Sequence, residues 1–299
     1  MTDHPLDRGD GFPCAFPTAA FHGSHGRAVV LGGGGFVGTA WTAGLASGMR
    51  REGVDLARAD LIVGTSAGAI VGAMLAAGQD LDRLAVPRRP LDLDSPTPEV
   101  NPAGLVEVLT LLADSTLEPA VARRRIGQLA RAVDVRPEQA HIARMGSLVT
   151  VRDWPEHRLL ITAVNIETGD PVVWDRASGV PLLTAVAAST AMPGVCPPIT
   201  INGRRYMDGG IRSATNADLA VGARVLVVVE PLAHLFPREH LNRELAAAGA
   251  RTVVTINPDS SAVDAFGPHP LDRARWHPSY QAGVRQSAEA AERLSCESW

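Results

Sequence analysis

The sequence predicts an α/β fold with a largely parallel central sheet and helices on both of its faces. Three observations carry that expectation. The apolar run Ala28-Val29-Val30-Leu31 ends in a glycine loop, residues 32–38, and a helix-like stretch follows over about 39–51. A second apolar run, Leu61-Ile62-Val63-Gly64, turns through Thr65 and Ser66 into small, helix-tolerant residues. Further β-branched runs at 225–229 and 252–256 are interleaved with helical stretches near 238–248 and 279–294. Strands alternating with helices at this spacing favour parallel pairing, because each crossover helix covers a sheet face.

Taken in order, residues 1–26 are polar and broken by Pro5, Pro13 and Pro17. They lack a basic start followed by an apolar core, so they predict a flexible extension and not a secretory signal. Residues 27–299 then read as a single domain. Within it, 81–158 departs from the sheet pattern: Pro87, Pro90, Pro96, Pro98 and Pro102 punctuate it, and helical pieces follow at 105–112 and 120–133. An inserted helical cap is expected there, with Arg123-Arg124-Arg125 on a solvated helix face. Sheet character returns at 159–164 and 171–174, joined by a polar 165–170 connection that suits a hairpin. The alanine-rich 182–189 reads as a buried helix halted by Pro193. Short strands at 199–201 and 205–207 flank Asn202-Gly203, a strong hairpin-turn signal. Asp208-Gly209-Gly210 closes that hairpin.

The chain has 299 residues, 45% hydrophobic and 20% charged, enough for a large core. Its net charge of −4 argues against nucleic-acid binding, which usually demands a basic face. Cys14, Cys196 and Cys296 are too widely spaced to suggest a disulfide framework or a zinc cluster, and a reducing cytosol is compatible with them. With no run of 18 or more apolar residues, no membrane span is expected.

Chemistry is concentrated in three motifs. Gly64-x-Ser66-x-Gly68 has the spacing of a nucleophile elbow, and it falls on the strand–turn–helix that such a motif requires. Gly33-x-Gly35-x-x-Gly38 is, alone, a dinucleotide fingerprint, but the second strand ends in Gly64-Thr65-Ser66 and offers no acid for a ribose. The other use of such a loop is an oxyanion hole, in which backbone N–H groups converge on developing negative charge. A serine nucleophile also needs a base. His234, His240, His269 and His277 each satisfy the order of a triad, yet none sits at a convincing strand end. Asp208 follows a strand and is flanked by open glycines, so it reads equally as a base or as an Asx-turn residue.

Gly32-Gly33-Gly34-Gly35-x-x-Gly38, Gly64-Thr65-Ser66-Ala67-Gly68 and Asp208-Gly209-Gly210, in this order, resemble the patatin-like phospholipase family. The alanine-rich run into Met192-Pro193 and the Pro197-Pro198 segment are similar to it too, so the resemblance spans about 28–223. It implies a three-layer α/β fold, a Ser66–Asp208 dyad in place of a triad, and an oxyanion hole from the N–H groups of Gly33, Gly34 and Gly35. It implies hydrolysis of phospholipid, lysophospholipid or neutral acyl esters without cofactor or metal. With no anchor or spanning helix in the sequence, a cytoplasmic protein that meets membrane or micelle surfaces transiently is expected. Where the family usually carries Arg or Lys before the last loop glycine, this chain has Val37, which predicts a preference for neutral or small esters unless that residue faces away from substrate. Two rival readings remain: a nucleotide-binding protein using the 32–38 loop, and a non-enzymatic lipid-binding relative.

Overall fold

The computed structural model describes residues 25–85, 102–114, 116–132, 137–296 and 299. Residues 1–24, including Cys14, and the proline-rich 86–101 lie outside the described residues, so the expected extension and the first part of the cap are not addressed by it.

Strand β1 (His25–Leu31) leads into α1 (Gly35–Arg51), and β2 (Leu61–Gly64) into α2 (Ala67–Ala76). Three helices follow: α3 (Pro102–Ala113), α4 (Pro119–Ala132) and α5 (Glu138–Leu148). Then come the β3 (Leu159–Asn165) and β4 (Pro171–Trp174) hairpin, α6 (Leu182–Ser189), and the β5 (Ile199–Ile201) and β6 (Arg204–Asp208) hairpin. The chain finishes with β7 (Ala223–Val229), α7 (Arg238–Ala248), β8 (Thr252–Ile256), α8 (Ser260–Phe266) and α9 (Trp276–Ser295).

Among the described residues the strands form one eight-stranded sheet along the path β5-β6-β3-β2-β1-β7-β8, with β4 paired to β3 off that path. β1 pairs parallel with β2 and β7, β2 with β3, and β7 with β8. The β3–β4, β3–β6 and β5–β6 pairs are antiparallel. The expected α/β class, a mostly parallel sheet flanked by helices, is therefore what the chain adopts. Alternate residues of each central strand enter different cores: Val29 and Leu31 join α1, α2, α6 and α9, whereas Ala28 and Val30 face Leu219, Leu241 and Ala248. Burial on both faces explains why these strands read as unbroken apolar runs without polar alternation.

The register around β3 positions the site. Ile161 pairs with both Gly64 and Trp174, and Ala163 with both Asp208 and Val172. A strand has two edges, so β4 fills one while β2 and β6 share the other. Asn165 N–H points to the β4 side, toward Asp170, and the adjacent Ile166 N–H to the β6 side, toward Arg205. Because β2 stops at Gly64, the edge beyond Ile161 is open, and the end of β6 occupies it.

In its described parts the stretch 81–158 holds helices and, over 149–158, irregular chain, and contains no strand. A third core, built on Val108, Ile126 and Ala130, seats α3 and α4 against Val164, Ile166, Met207 and Ile211. Three local expectations need correction. Helix α1 starts at Gly35, inside the glycine loop and not near Thr39, since the carbonyl of Pro270 accepts the N–H groups of Phe36 and Val37 and holds the first turn. Helices α5 and α8 were not read from the sequence. Arg123 is buried at 4% exposure, its Nε donating to the Gly169 carbonyl at 2.6 Å, so the triple-arginine run is not uniformly solvated.

Candidate active site

Ser66 follows Thr65 at the corner between β2 and α2, with φ 53° and ψ −116°, a conformation that L-residues rarely adopt and that costs about 1–3 kcal/mol. Its neighbours enforce it. Thr65 N–H donates to Leu31 O at 3.0 Å, and Gly68 N–H to Thr65 O at 2.8 Å, with a longer contact to Gly32 O at 3.2 Å. The first turn of α2 thereby lies directly on the end of β1. A Cβ at Gly68 would stand 1.9 Å from the Leu31 carbonyl oxygen, and one at Gly64 would stand 2.7 Å from Ala69 Cα. Both motif glycines are required by close approach of backbone to backbone. The serine's own N–H donates to Ser189 Oγ at 2.9 Å.

Asp208, the last residue of β6, is 1% exposed. Its Oδ2 accepts the Ser66 hydroxyl at 2.7 Å, and its Oδ1 accepts the Gly210 N–H at 2.7 Å. The two readings of this residue are thus compatible, one carboxylate oxygen serving the Asx turn and the other facing the serine. Burial pushes its pKa up to about 7, against the lowering effect of the Ser66 and Gly210 hydrogen bonds. Gly209 is held against β3, where a Cβ would stand 2.2 Å from Thr162 Oγ1.

The glycine loop runs beside the serine: a Cβ on Gly33 would stand 3.5 Å from Ser66 Cβ. Its three expected donors are not equivalent. Gly33 N–H donates to Ala214 O at 2.8 Å, which withdraws it from the expected set. The N–H groups of Gly34 and Gly35 have no hydrogen-bond partner among the described residues, and neither has that of Ala67. Gly38 and Gly34 pack on Pro231, where a Cβ on either would lie within 2.9 Å of Pro231 Cβ.

Val37 is also corrected. It has no exposure and packs in the core of α1 and α9, so it forms no wall beside the loop. Among the described residues the Ser66 hydroxyl bonds Asp208 and none of the candidate histidines. His277 Nδ1 contacts Ala85 O at 3.2 Å, and the His234 ring lies 6.4 Å from Phe266.

Several residues around the site were not singled out by the sequence. Ser189, fully buried at the end of α6, holds the Ser66 amide. Asn216, in the left-handed region at φ 58°, donates from Nδ2 to Thr65 Oγ1 at 3.0 Å. Thr162 Oγ1 also donates to Thr65 Oγ1 at 3.0 Å. The 209–220 segment is clamped by two Arg212–Asp218 hydrogen bonds, at 2.9 and 2.5 Å. A polar residue capping an alanine-rich helix was the one available signal for Ser189. The Thr65 hub had none, since its members come from three distant segments. Among the described residues no group of three His, Cys, Asp or Glu side chains is placed to hold a metal ion.

A hydroxyl bonded to a buried carboxylate of raised pKa, beside open backbone donors, can perform proton transfer and nucleophilic attack on a carbonyl. The fold is similar to that of VipD from Legionella pneumophila, with a TM-score of 0.50 at 12% identity over 91% of this chain and 67% of that one. The type III effector protein ExoU aligns at a TM-score of 0.38 and 17% identity over 90% of this chain, which spans about half (53%) of it. No curated protein matches the chain by sequence. A family model described as patatin-like phospholipase matches residues 29–221, a span that holds the glycine loop, Ser66 and Asp208. The chain belongs to the patatin-like phospholipase family, whose members are lipid acyl hydrolases.

Proposed function

We propose that the protein is a serine hydrolase of acyl-lipid esters in which Ser66 is the nucleophile and Asp208 the base. The observation that carries this reading is the 2.7 Å hydrogen bond from the Ser66 hydroxyl, on its strained corner, to buried Asp208. As Oγ attacks the acyl carbon, its proton passes to Asp208 Oδ2. The carbonyl oxygen becomes an oxyanion facing the N–H groups of Gly34 and Gly35, with Ala67 N–H beside them. Each such donor is worth about 3–4 kcal/mol of barrier. Collapse returns the proton to the departing alcohol and leaves an acyl ester on Ser66. A water then gives its proton to Asp208, attacks the ester and releases the fatty acid, while the proton returns to Oγ. A base near pKa 7 suits both half-reactions at neutral pH. Phospholipid, lysophospholipid and neutral acyl esters all fit this chemistry.

The nucleotide-binding reading is weakened by the same loop. The Phe36 and Val37 N–H groups at the start of α1 are both taken by Pro270 O, which removes two of the helix-start donors a phosphate would use.

The test is fluorophosphonate labelling with mass mapping, alongside turnover of a short-chain soluble ester. Labelling at Ser66, and at least about 10³-fold loss of turnover in both Ser66→Ala and Asp208→Asn, are expected. The double variant should be scarcely worse than either single one. Full turnover in Asp208→Asn would refute the dyad.

A further inference from the structure

Helix α3 is apolar almost all round. Its inward side, with Val108 at 0% exposure, seals the third core, yet its outward side presents Val106 at 62%, Leu109 at 48% and Leu112 at 36%. A helix apolar on every side normally lies fully buried, and among the described residues nothing covers this outward face. The neighbouring α4 supplies charge. It carries Arg123, Arg124, Arg125 and Arg131 and no acidic residue, in a chain whose net charge is −4.

Arg124, Arg125 and Arg131 line a cleft of about 370 Å³ with Gln128, Ile166 and Glu167. Arg131 is paired with Glu167 at 3.0 Å, whereas Arg124 and Arg125 are exposed and in no ion pair among the described residues. Arg125 acts at a distance on Asp114, whose carboxyl is held low first by Thr116.

The lobe also adjoins the site. A Cβ on Gly194 would lie 3.5 Å from the backbone of Gly104 and Leu105, and in the segment just before it Ala191 O accepts the Asp208 N–H. In the segment that follows β7, Leu235 and Phe236 are exposed at 54% and 40%.

We infer that the α3–α4 hairpin is a docking surface for an anionic phospholipid bilayer: Val106, Leu109 and Leu112 enter the acyl boundary while Arg124 and Arg125 engage headgroup phosphates. Charge complementarity selects this occupant. Apolar insertion beside unpaired arginines is the pattern of an interfacial helix, and each arginine near an anionic surface adds attraction that salt screens. The inference deepens the hydrolase reading and rests on it for why a lipid surface is met, but binding is measurable without turnover.

The full-length Ser66→Ala protein is to be sedimented with phosphatidylcholine vesicles and with vesicles containing about one-third phosphatidylglycerol. Binding to the anionic vesicles should be at least about tenfold tighter and weaken with salt. Arg124→Glu/Arg125→Glu and Val106→Ser/Leu109→Ser, each combined with Ser66→Ala, should each lower it about tenfold or more. In the Ser66 background the same pairs should leave soluble-ester turnover unchanged, which also shows that they fold. Equal binding to both vesicle types, or binding indifferent to both pairs, overturns the inference. So does concentration-dependent dimerisation abolished by Val106→Ser/Leu109→Ser, which would make the face a protein interface. Vesicle binding without fluorophosphonate labelling would sink the hydrolase reading and leave the docking surface standing.

Discussion

Gly64 and Asp208 are registered on the same edge of β3, opposite Ile161 and Ala163. One buried strand thus spaces the serine corner and the carboxylate, although Ser66 and Asp208 are 142 residues apart in the chain. Their separation is set by backbone pairing, which is stiffer than any loop.

The first expectation is a pH profile. Only the carboxylate form of Asp208 can accept the serine proton, and burial has pushed its pKa up to about 7. kcat/KM for a soluble ester should therefore rise with pH along a limb centred near 7. Stability should run the other way. A folded pKa above the ordinary carboxylate value of 3.8 gives a contribution that is fully present below 3.8 and lost as pH rises through about 7. The melting temperature of Asp208→Asn relative to wild type should climb between about pH 4 and 7 and level off above. A flat difference would show an ordinary carboxyl.

Ser189 should matter through the shape of the corner. Ser189→Ala leaves the Ser66 N–H without its acceptor, at about 1–3 kcal/mol. Turnover should fall about tenfold with KM little changed, and Ser189→Thr should recover part of it. Unaltered kcat in the alanine variant would mean that the backbone alone sets Ser66.

Val37→Arg should unfold the protein in part, and not retune its substrate. An arginine at a position with no exposure is buried without a counter-charge, a loss of about 3 kcal/mol or more. Monoacylglycerol and lysophospholipid turnover should drop in proportion to the folded fraction seen by circular dichroism. A selective gain on the phospholipid would contradict the burial.

Acid should loosen the junction between α5 and α6. His141 is 4% exposed, and its Nε2 contacts Ala187 O at 3.1 Å and Thr190 Oγ1 at 2.9 Å. Its Nδ1 has no partner. Burial, with the nearby Arg144 charge, holds its pKa down to about 4. A depressed folded pKa means stability present above the ordinary 6.5 and lost as pH falls through about 4. Thermal melts across that interval should show a decline that His141→Gln flattens. Parallel declines in both proteins would exonerate the histidine.

The chemistry-bearing parts of the fold were legible because each is local. The β1 and β2 runs, the glycine loop, the serine corner and the Asn202-Gly203 hairpin are specified within a few residues, and Asn202 and Gly203 do adopt φ values of 50° and 75°. What escaped depends on tertiary contact. Arg123 is buried where its Nε meets the carbonyl of Gly169, in the β3–β4 turn 46 residues later. Gly33 has the same composition as Gly34, yet its N–H is claimed by Ala214, a residue 181 positions later. Val37 stands beside the loop in sequence but is buried in the core, since α1 begins at Gly35, about four residues before the expected start near Thr39.

The helical lobe leaves after α2 and returns at β3, the strand directly beside β2. An excursion that ends next to where it began places no demand on the rest of the sheet. Lengthening such a detour twofold costs only about 0.6 kcal/mol of closure entropy. Its length and surface are accordingly open to change over evolutionary time, while the paired edge that spaces Ser66 from Asp208 stays as it is.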